Sequence, residues 1–398
     1  MKKQLVLALG AAGLMSAFAA QAQEAASIKE ALTQGDVKLN FRLRYEDVNW
    51  DGLTDSDALT LRTRLSFTSQ SYQGFGLTLE MDDVQELLDA DYRTAGNDAL
   101  NPGTAIIADP AGTEVNQTFL SYQAPAKTTI KYGRQRILLD NQRFIGGVGW
   151  RQNEQTYDAF SLSNKALEDG TFFYAYVHNV NRIFGEDNPI GDHKHEAHLI
   201  NFNYAGWDAG KLSLYAYLLD NETAAALSSD SVGVRWAGKA GESVGYTLEY
   251  AIQSDAGDNP VSYDANYLLA EASVKFSGVS IKGGYEVLGS DDGVVAFSTP
   301  LATLHKFQGW TDRFLGTPAA GVEDLYVGVS GALGGVKLAA TYHDLSAEYG
   351  STDYGQEIDI SAAKKIGPVT LLVKYADYQA DDFGSNTQKL WVMLNATF

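Results

Sequence analysis

The chain has 398 residues, no cysteine and a formal net charge of -20 at neutral pH. The lack of cysteine excludes a disulfide framework, a metal–thiolate site and a cysteine nucleophile, and the strong negative charge makes nucleic acid an unsuitable partner. The 39 glycines, 22 tyrosines and 17 phenylalanines, set against only 8 prolines, are typical of a protein with many strands and tight turns.

The N-terminus has the pattern of a secretory signal peptide. Lys2 and Lys3 precede an apolar run at residues 5–18, and small residues follow it, so cleavage is expected before Gln23. The run is shorter than the ~20 apolar residues that a membrane-spanning helix needs, and no later stretch is as apolar. If the chain is embedded in a membrane, it must therefore cross as a β-barrel. Removal of the signal peptide takes away two lysines and brings the formal charge from -20 to -22.

A short helix-like segment at residues 27–34, stopped by Gly35, is followed by apolar and polar residues in strict alternation, which predicts β-strands. In the first strand one face is apolar, with Val37, Leu39, Phe41, Leu43 and Tyr45, and the other is polar, with Lys38, Asn40, Arg42, Arg44 and Glu46. The pattern recurs at residues 59–67, 244–252, 268–276 and 390–398. A soluble sandwich and a membrane barrel both alternate in this way, so alternation alone leaves the two open.

The connections favour the barrel. Short turns at residues 206–210, 277–278, 331–335 and 367–368 contrast with long polar connections at 83–113 and 289–321. Periplasmic turns and extracellular loops differ in this way. The terminal Phe398 resembles the signal by which the barrel assembly machinery recognises outer-membrane barrels. We therefore expect an all-β chain, a transmembrane antiparallel β-barrel of about 18 strands, with 16 as the alternative.

The expected organisation is a signal peptide at residues 1–22, a short periplasmic segment at 23–36 and a barrel at 37–398. Such a barrel lies in the outer membrane of a Gram-negative cell, in contact with lipid and lipopolysaccharide. Acidic clusters such as those at 255–258 and 381–382 fall where loops are expected. We interpret them as solvated loop faces, with divalent-cation binding as the alternative.

Nine of the twelve arginines lie between residues 42 and 151. Because four of them alternate with apolar residues on neighbouring strands, we expect a cationic ladder on one wall of the lumen, suited to anionic solutes. Alternatively, these arginines pair with lumen carboxylates such as Glu46, Glu80 and Asp82 and hold the pore open. The candidate pore-lining residues are Arg42, Arg44, Arg62, Arg64, Lys131, Arg134, Arg136, Arg143 and Arg151. In this stretch Ile130 and Tyr132 share the parity of Arg134, which indicates a bulge or a strand end.

No site for covalent chemistry emerges from the sequence. His193, His195 and His198 match no zinc signature, and on an extended strand His195 and His198 face opposite sides. No nucleophile elbow, phosphate-binding loop or dinucleotide motif is present. We therefore expect neither a metal nor a cofactor, and no enzyme activity.

The long connection at 289–321 contains Ser298-Thr299-Pro300, a helix-start signal, and Leu301, Leu304 and Phe307 follow at helical spacing. The pattern predicts a short helix at residues 300–315. If the segment folds inward, it narrows the pore, and His305 gives the conductance a pH dependence. The alternative is a lid on the rim of the barrel. The candidate constriction residues are His305, Lys306, Trp310 and Arg313.

Four segments resemble motifs of the alginate export family of outer-membrane porins: LRYE at 43–46, GRQRI at 133–137, NQRFIGGVGWRQN at 141–153 and LATLHKFQGWTDRFL at 301–315. The resemblance implies an eighteen-stranded barrel with an arginine-rich pore, and it does not establish a polysaccharide as the substrate. We expect a channel for diffusion or export of anionic, uronate- or alginate-like solutes. The alternatives are a general porin without anion preference, an outer-membrane enzyme and a structural barrel.

Overall fold

The structure is a computed structural model that describes residues 24–88, 92–96 and 103–398. The expected signal peptide at residues 1–22 lies outside this range. The short N-terminal segment contains α1 (Ile28–Thr33), which begins after Ser27, whose side chain accepts a hydrogen bond from the Glu30 backbone N–H. No helix in the described ranges is long and apolar enough to cross a membrane.

In the described part of the chain, eighteen antiparallel strands form one closed sheet, because β1 (Asp36–Trp50) pairs with both β2 (Ser56–Thr68) and β20 (Thr387–Thr397). The prediction of an all-β antiparallel barrel is confirmed, with eighteen strands rather than sixteen. Two further short strands, β14 and β15, pair only with each other. The strands are β1 (Asp36–Trp50), β2 (Ser56–Thr68), β3 (Phe75–Glu86), β4 (Gly112–Ala124), β5 (Thr128–Gln135), β6 (Thr156–Asn164), β7 (Gly170–Asn181), β8 (Asp192–Trp207), β9 (Gly210–Asn221), β10 (Ser229–Ala240), β11 (Val244–Asp255), β12 (Asp264–Phe276), β13 (Val279–Leu288), β14 (Ser290–Asp291), β15 (Val295–Ala296), β16 (Val322–Leu333), β17 (Val336–Ser346), β18 (Asp353–Ile366), β19 (Val369–Ala380) and β20 (Thr387–Thr397).

The alternation in the sequence follows the two faces of the barrel wall. Outward positions carry exposed apolar side chains such as Leu120, Leu248 and Leu325, whereas the alternate positions carry buried polar ones such as Arg44 and Glu46. A soluble sandwich has the reverse arrangement, with its apolar face in the core. The outward face therefore meets lipid, and the polar face lines the interior.

One end of the barrel has tight turns. Ser277 and Gly278 both adopt positive φ, 49° and 84°, between β12 and β13, which is the two-residue turn that matches the twist of a hairpin. The first part of β1 meets Phe398 at the same end, where the backbones of Leu39 and Phe398 exchange two hydrogen bonds of 3.0 and 2.8 Å. In outer-membrane barrels the end with short turns faces the periplasm.

Parts of three long connections at the opposite end fold into the barrel, and we call them loop I (the described residues 87–88, 92–96 and 103–111), loop II (136–155) and loop III (289–321). Loops II and III touch each other, because the Gly146 N–H donates to the Leu301 carbonyl at 2.8 Å and the Thr303 N–H donates to the Gln142 carbonyl at 3.0 Å. An aromatic core fixes both loops to the wall, with Phe144 of loop II packed against Tyr215, Tyr217, Tyr267 and Phe297. The interior is therefore narrowed by packed loops.

The prediction of a helix at residues 300–315 is wrong. Only a 3-10 turn forms, at Leu304–Lys306. Gln308, Gly309 and Asp312 have φ of 50°, 86° and 64°, in the left-handed region that a right-handed helix excludes. In addition, the Thr311 N–H donates to the Glu357 carboxylate at 2.8 Å, so contacts with the wall replace the internal hydrogen bonds of a helix.

Candidate functional site

Six basic side chains face the interior from four consecutive strands, and we call them the basic wall: Lys374 on β19, Lys389 on β20, Arg42 and Arg44 on β1, and Arg62 and Arg64 on β2. Closure of the barrel creates this surface, because it places the last strands beside the first. Arg42 and Arg62 are directly opposite each other in the register of β1 and β2. The arginine ladder predicted from β1 and β2 thus continues onto two strands from the C-terminal end of the chain.

Two arginines of the basic wall form buried ion pairs with carboxylates. Arg64 holds both oxygens of Asp82 at 2.6 Å, and its Nη1 lies 2.7 Å from Glu154 of loop II. Arg44, which is 0% exposed, lies 2.8 Å from Asp109 of loop I. Burial alone would raise the pKa of Asp109, but Arg44 and Arg151 lower it, so this carboxyl is ionised. These two arginines fasten loops I and II to the wall.

Arg42 and Arg62 have a different environment. The Arg42 guanidinium donates to the backbone carbonyls of Gly149 and Arg151 at 3.1 and 3.0 Å. Arg62, which is 2% exposed, donates to the Gln152 carbonyl at 3.1 Å and to the Asn40 side chain at 2.8 Å. Among the described residues no carboxylate lies within 4.0 Å of either group, and the Nε atom of each is buried without a hydrogen-bond partner. The two facing cations therefore have no counter-ion in contact.

Asp312 of loop III joins both loops to the wall. Its carboxylate lies 3.0 Å from Arg151 of loop II, 2.8 Å from Lys389 of β20 and 2.7 Å from His305 Nδ1. Arg151 also contacts Glu46 on β1 at 2.9 Å. Burial alone would raise the pKa of Asp312, but the charge of Lys389, the hydrogen bond from His305 and the charge of Arg151 lower it well below its usual range. One ionised carboxylate thus connects two loops and a strand.

Lys374 lies inside an aromatic cage. Its ammonium is 3.6 Å from the centre of the Trp310 ring, 4.0 Å from that of Trp150 and 5.1 Å from that of Trp391. It is also 2.7 Å from His305 Nε2, and the His305 ring stacks on Trp150 at 4.7 Å. Burial and then the charge of Lys374 lower the pKa of His305 to about 3. The imidazole is therefore neutral at ordinary pH, accepting from Lys374 and donating to Asp312.

The remaining predicted pore residues lie in different places. Arg136 contacts Glu80 at 2.9 Å and also Glu154, so it belongs to the cluster around Arg64. Arg143 is buried in loop II, 2.8 Å from Glu286. Lys131 is opposite the buried Ser161 and lies 4.6 Å from the Phe119 ring.

Arg134 does not join this cluster. It pairs with Asp158 of β6 at 2.9 Å, and both alternate with Gln135 and Tyr157, whose side chains are buried in the interior. The pairing is irregular between Asp158 and Ala159, so alternation does not fix the face of Arg134, which lines a small cavity together with Asp82 and Asn153. Gly133 has φ of 121°, and β5 ends at Gln135, so the strand end indicated by the sequence lies here.

The four predicted constriction residues also lie in different places. His305 and Trp310 are part of the cage around Lys374, whereas Lys306 is exposed and donates to the Asn141 carbonyl at 2.9 Å. Arg313 stacks over the Trp50 ring at 4.1 Å, at the end of β1 that is remote from Phe398. The predicted assembly residue Phe398 is 65% exposed and makes an edge contact with Phe41 at 6.3 Å.

Five further residues of the site were not predicted from the sequence: Lys374, Lys389, Asp109, Glu154 and Asp312. The lysines were detectable in principle, since each occupies an inward position of an alternating strand and closure of the barrel brings those strands beside β1. The three carboxylates lie in irregular loops without a periodic pattern. Only the path of the folded loops brings them to the basic wall.

Residues 33–286 match the model of a family described as Alginate export. The chain belongs to the alginate export family. No curated protein matches the sequence. Members of the alginate export family are channels rather than enzymes, and the chain is an integral outer-membrane β-barrel of this kind.

Similar solved structures are outer-membrane porins of the OccK and OprD type. Pseudomonas aeruginosa OccK9 (OpdG) is 15% identical with a TM-score of 0.73, covering 92% of this chain and 99% of its own. Acinetobacter baumannii OccAB2 is 18% identical with a TM-score of 0.71, covering 93% and 99%. Pseudomonas aeruginosa OpdK, solved with vanillate, is 14% identical with a TM-score of 0.71, covering 92% and 99%. At these identities the likeness concerns the fold.

Proposed function

We propose that this member of the alginate export family is a diffusion channel for small anionic solutes, above all carboxylates such as uronates. The observation that carries the proposal is the Arg42–Arg62 pair. Guanidinium groups are permanently charged and bind carboxylates through two parallel hydrogen bonds. In this pair two of them face each other without a contacting carboxylate in the described chain.

Neighbouring arginines have contacting carboxylates, whereas the Arg42–Arg62 pair does not. Arg44 and Arg64 are compensated by Asp109 and Asp82, so fixed carboxylates are abundant close by. Like charges opposite each other on adjacent strands repel, and burial without a counter-ion adds a further cost. A mobile anion in the lumen relieves both costs. The loop carbonyls that Arg42 and Arg62 contact carry only partial negative charge, which an ionised solute outcompetes.

The comparisons agree with an anionic cargo. The family description names alginate, whose sugar units are uronates, and the similar OpdK was solved with vanillate, an aromatic carboxylate. Both ligand classes carry a carboxylate on a ring. We propose the carboxylate as the recognised group.

The test is the ion selectivity of the purified protein in a planar lipid bilayer under a KCl gradient. The wild-type reversal potential is expected to show preference for chloride. The double variant Arg42→Gln and Arg62→Gln is expected to shift the potential toward potassium, because both uncompensated charges are removed. The matched control is Arg134→Gln, which removes an arginine that already pairs with Asp158 at 2.9 Å. A shift of equal size in the control would contradict the proposal.

The proposal also covers secretion of the chain and insertion of the barrel. We propose that residues 1–22 direct secretion and are removed, and that Phe398 is read during insertion by the barrel assembly machinery. In support, Phe398 lies beside β1 at the end of the barrel with short turns, where its aromatic ring remains exposed.

A further inference from the structure

We propose that Arg151, Lys389 and His305 form a binding site for the carboxylate of the transported solute, and that Asp312 occupies this site in the resting channel. We call these three residues the carboxylate cradle. The inference rests on the proposed function and extends it, since it names a second contact point for the solute and an internal competitor for that point.

The three residues of the carboxylate cradle place their donors around a single carboxylate. Asp312 Oδ1 lies 2.7 Å from His305 Nδ1, and Oδ2 lies 3.0 Å from Arg151 Nη2 and 2.8 Å from Lys389 Nζ. Donors from loop II, loop III and β20 thus converge on the two oxygens of one carboxylate. A planar carboxylate of any small molecule presents the same two acceptors to the same donors.

The basic groups of the cradle need an anion as counter-ion. Within the described residues Asp312 is the only carboxylate within 4.0 Å of Lys389, whereas Arg151 also has Glu46 at 2.9 Å. If the Asp312 side chain leaves, a buried ammonium loses its counter-ion, which is costly unless another anion replaces it. The cradle is therefore electrostatically complete only with an anion present.

The Asp312 side chain is not needed to anchor the residues next to it. Its segment lies outside the barrel sheet, and Asp312 itself has φ of 64°. Its neighbours are anchored separately, Thr311 to Glu357 and Trp310 to Lys374. The Asp312 side chain can therefore exchange with a solute carboxylate while these anchors and all eighteen strand pairings remain.

Hydrogen bonds to loop II connect the Arg42–Arg62 pair to the cradle. Arg42 Nη1 donates to the Arg151 carbonyl at 3.0 Å, and Arg62 donates to the carbonyl of the next residue, Gln152, at 3.1 Å. An anion that draws these guanidinium groups away loosens the segment that carries Arg151. A solute bound at the pair therefore weakens the hold on Asp312 before it reaches the cradle.

The experiment uses the full mature protein in planar bilayers, with galacturonate as the probe and galactose as the uncharged control. The concentration of galacturonate that halves the chloride current is measured for wild type, Asp312→Asn, Lys389→Gln and the control Asp377→Asn, an aspartate that alternates with the buried Ala376 and Tyr378. Asp312→Asn removes the internal competitor and is expected to lower this concentration at least threefold. Lys389→Gln removes a donor and is expected to raise it at least threefold, with the control unchanged.

Values for both variants within twofold of wild type, in a channel that prefers chloride and is blocked by galacturonate, would overturn the cradle and leave the proposed function intact. A wild-type channel without anion preference would overturn both. Assembly is checked by the difference in gel migration between unheated and heated samples. If one variant fails to assemble, the other decides the question, and failure of both overturns the proposal because the cradle would then be purely structural.

Discussion

Replacing Asp109 by asparagine is expected to destabilise the folded barrel strongly, because Asp109 and Arg44 form an ion pair that is 0% exposed on both sides. Removing one partner of a buried pair leaves an uncompensated charge and costs about 3–5 kcal/mol. Asparagine keeps an oxygen that can accept the 2.7 Å hydrogen bond from the Gln152 N–H, so the expected loss lies at the lower end, about 3 kcal/mol.

The assay is the urea midpoint of unfolding in detergent micelles, followed by the loss of the faster-migrating unheated form on a gel. The matched control is Asp158→Asn, which breaks the pair with Arg134, whose side chains are 23% and 21% exposed. Partly exposed pairs contribute about 1 kcal/mol or less. The reasoning predicts a large shift of the midpoint for Asp109→Asn and a small one for the control.

Equal shifts for the two variants would refute the reasoning, since they would mean that Arg44 is solvated in the folded protein. A second comparison isolates the pair itself. The double variant Arg44→Gln and Asp109→Asn removes both charges and is expected to lose less stability than the sum of the two single variants. Simple additivity would show that the pair contributes nothing beyond its separate side chains.

Two further predictions concern the loops and the C-terminus. His305→Gln is expected to remove no titration near pH 6 from the conductance, because the pKa of His305 is lowered to about 3 and the ring carries no charge between pH 5 and 8. Conductance measured in steps of pH would contradict this if a titration near pH 6 disappeared in the variant. Deletion of Phe398 is expected to reduce the assembled fraction, because its backbone exchanges two hydrogen bonds with Leu39 of β1. Heat-dependent gel migration of membrane fractions checks this, and undiminished assembly would contradict it.

Much of the barrel was predictable because strand alternation is a local property. The inward positions of Arg42, Arg44, Arg62 and Arg64 follow from the parity of their apolar neighbours in β1 and β2, and the turn at Ser277 follows from its glycine neighbour. The number of strands was harder to predict, because the pairing of β6 with β7 is irregular between Asp158 and Ala159. A parity argument fails wherever the register shifts.

The interior could be predicted only in part. The sequence indicated both that the arginines form a ladder and that they pair with carboxylates, and the structure contains both arrangements, with Arg42 and Arg62 in the first and Arg44 and Arg64 in the second. The difference arises from Asp109 and Glu154 of the loops and from Asp82 of β3, which contact Arg44 and Arg64 but neither Arg42 nor Arg62. Loop paths depend on contacts between distant segments, so local periodicity carries no information about them.

The structure of loop III also could not be predicted from local spacing. The spacing of Leu301, Leu304 and Phe307 is helical, yet wall residues supply stronger partners than a helix would. Sequence left the inward and the rim positions open, and contacts of Trp310 and Asp312 with Lys374 and Lys389 place the loop inside. The residues that decide this lie more than sixty positions later in the chain.

The reversal potential of the wild-type channel in a planar bilayer under a KCl gradient tests the central claim most directly. A channel whose basic wall contains two arginines without contacting carboxylates is predicted to pass chloride more readily than potassium. A potential of the opposite sign, at a salt concentration low enough for fixed charges to remain unscreened, would contradict the account.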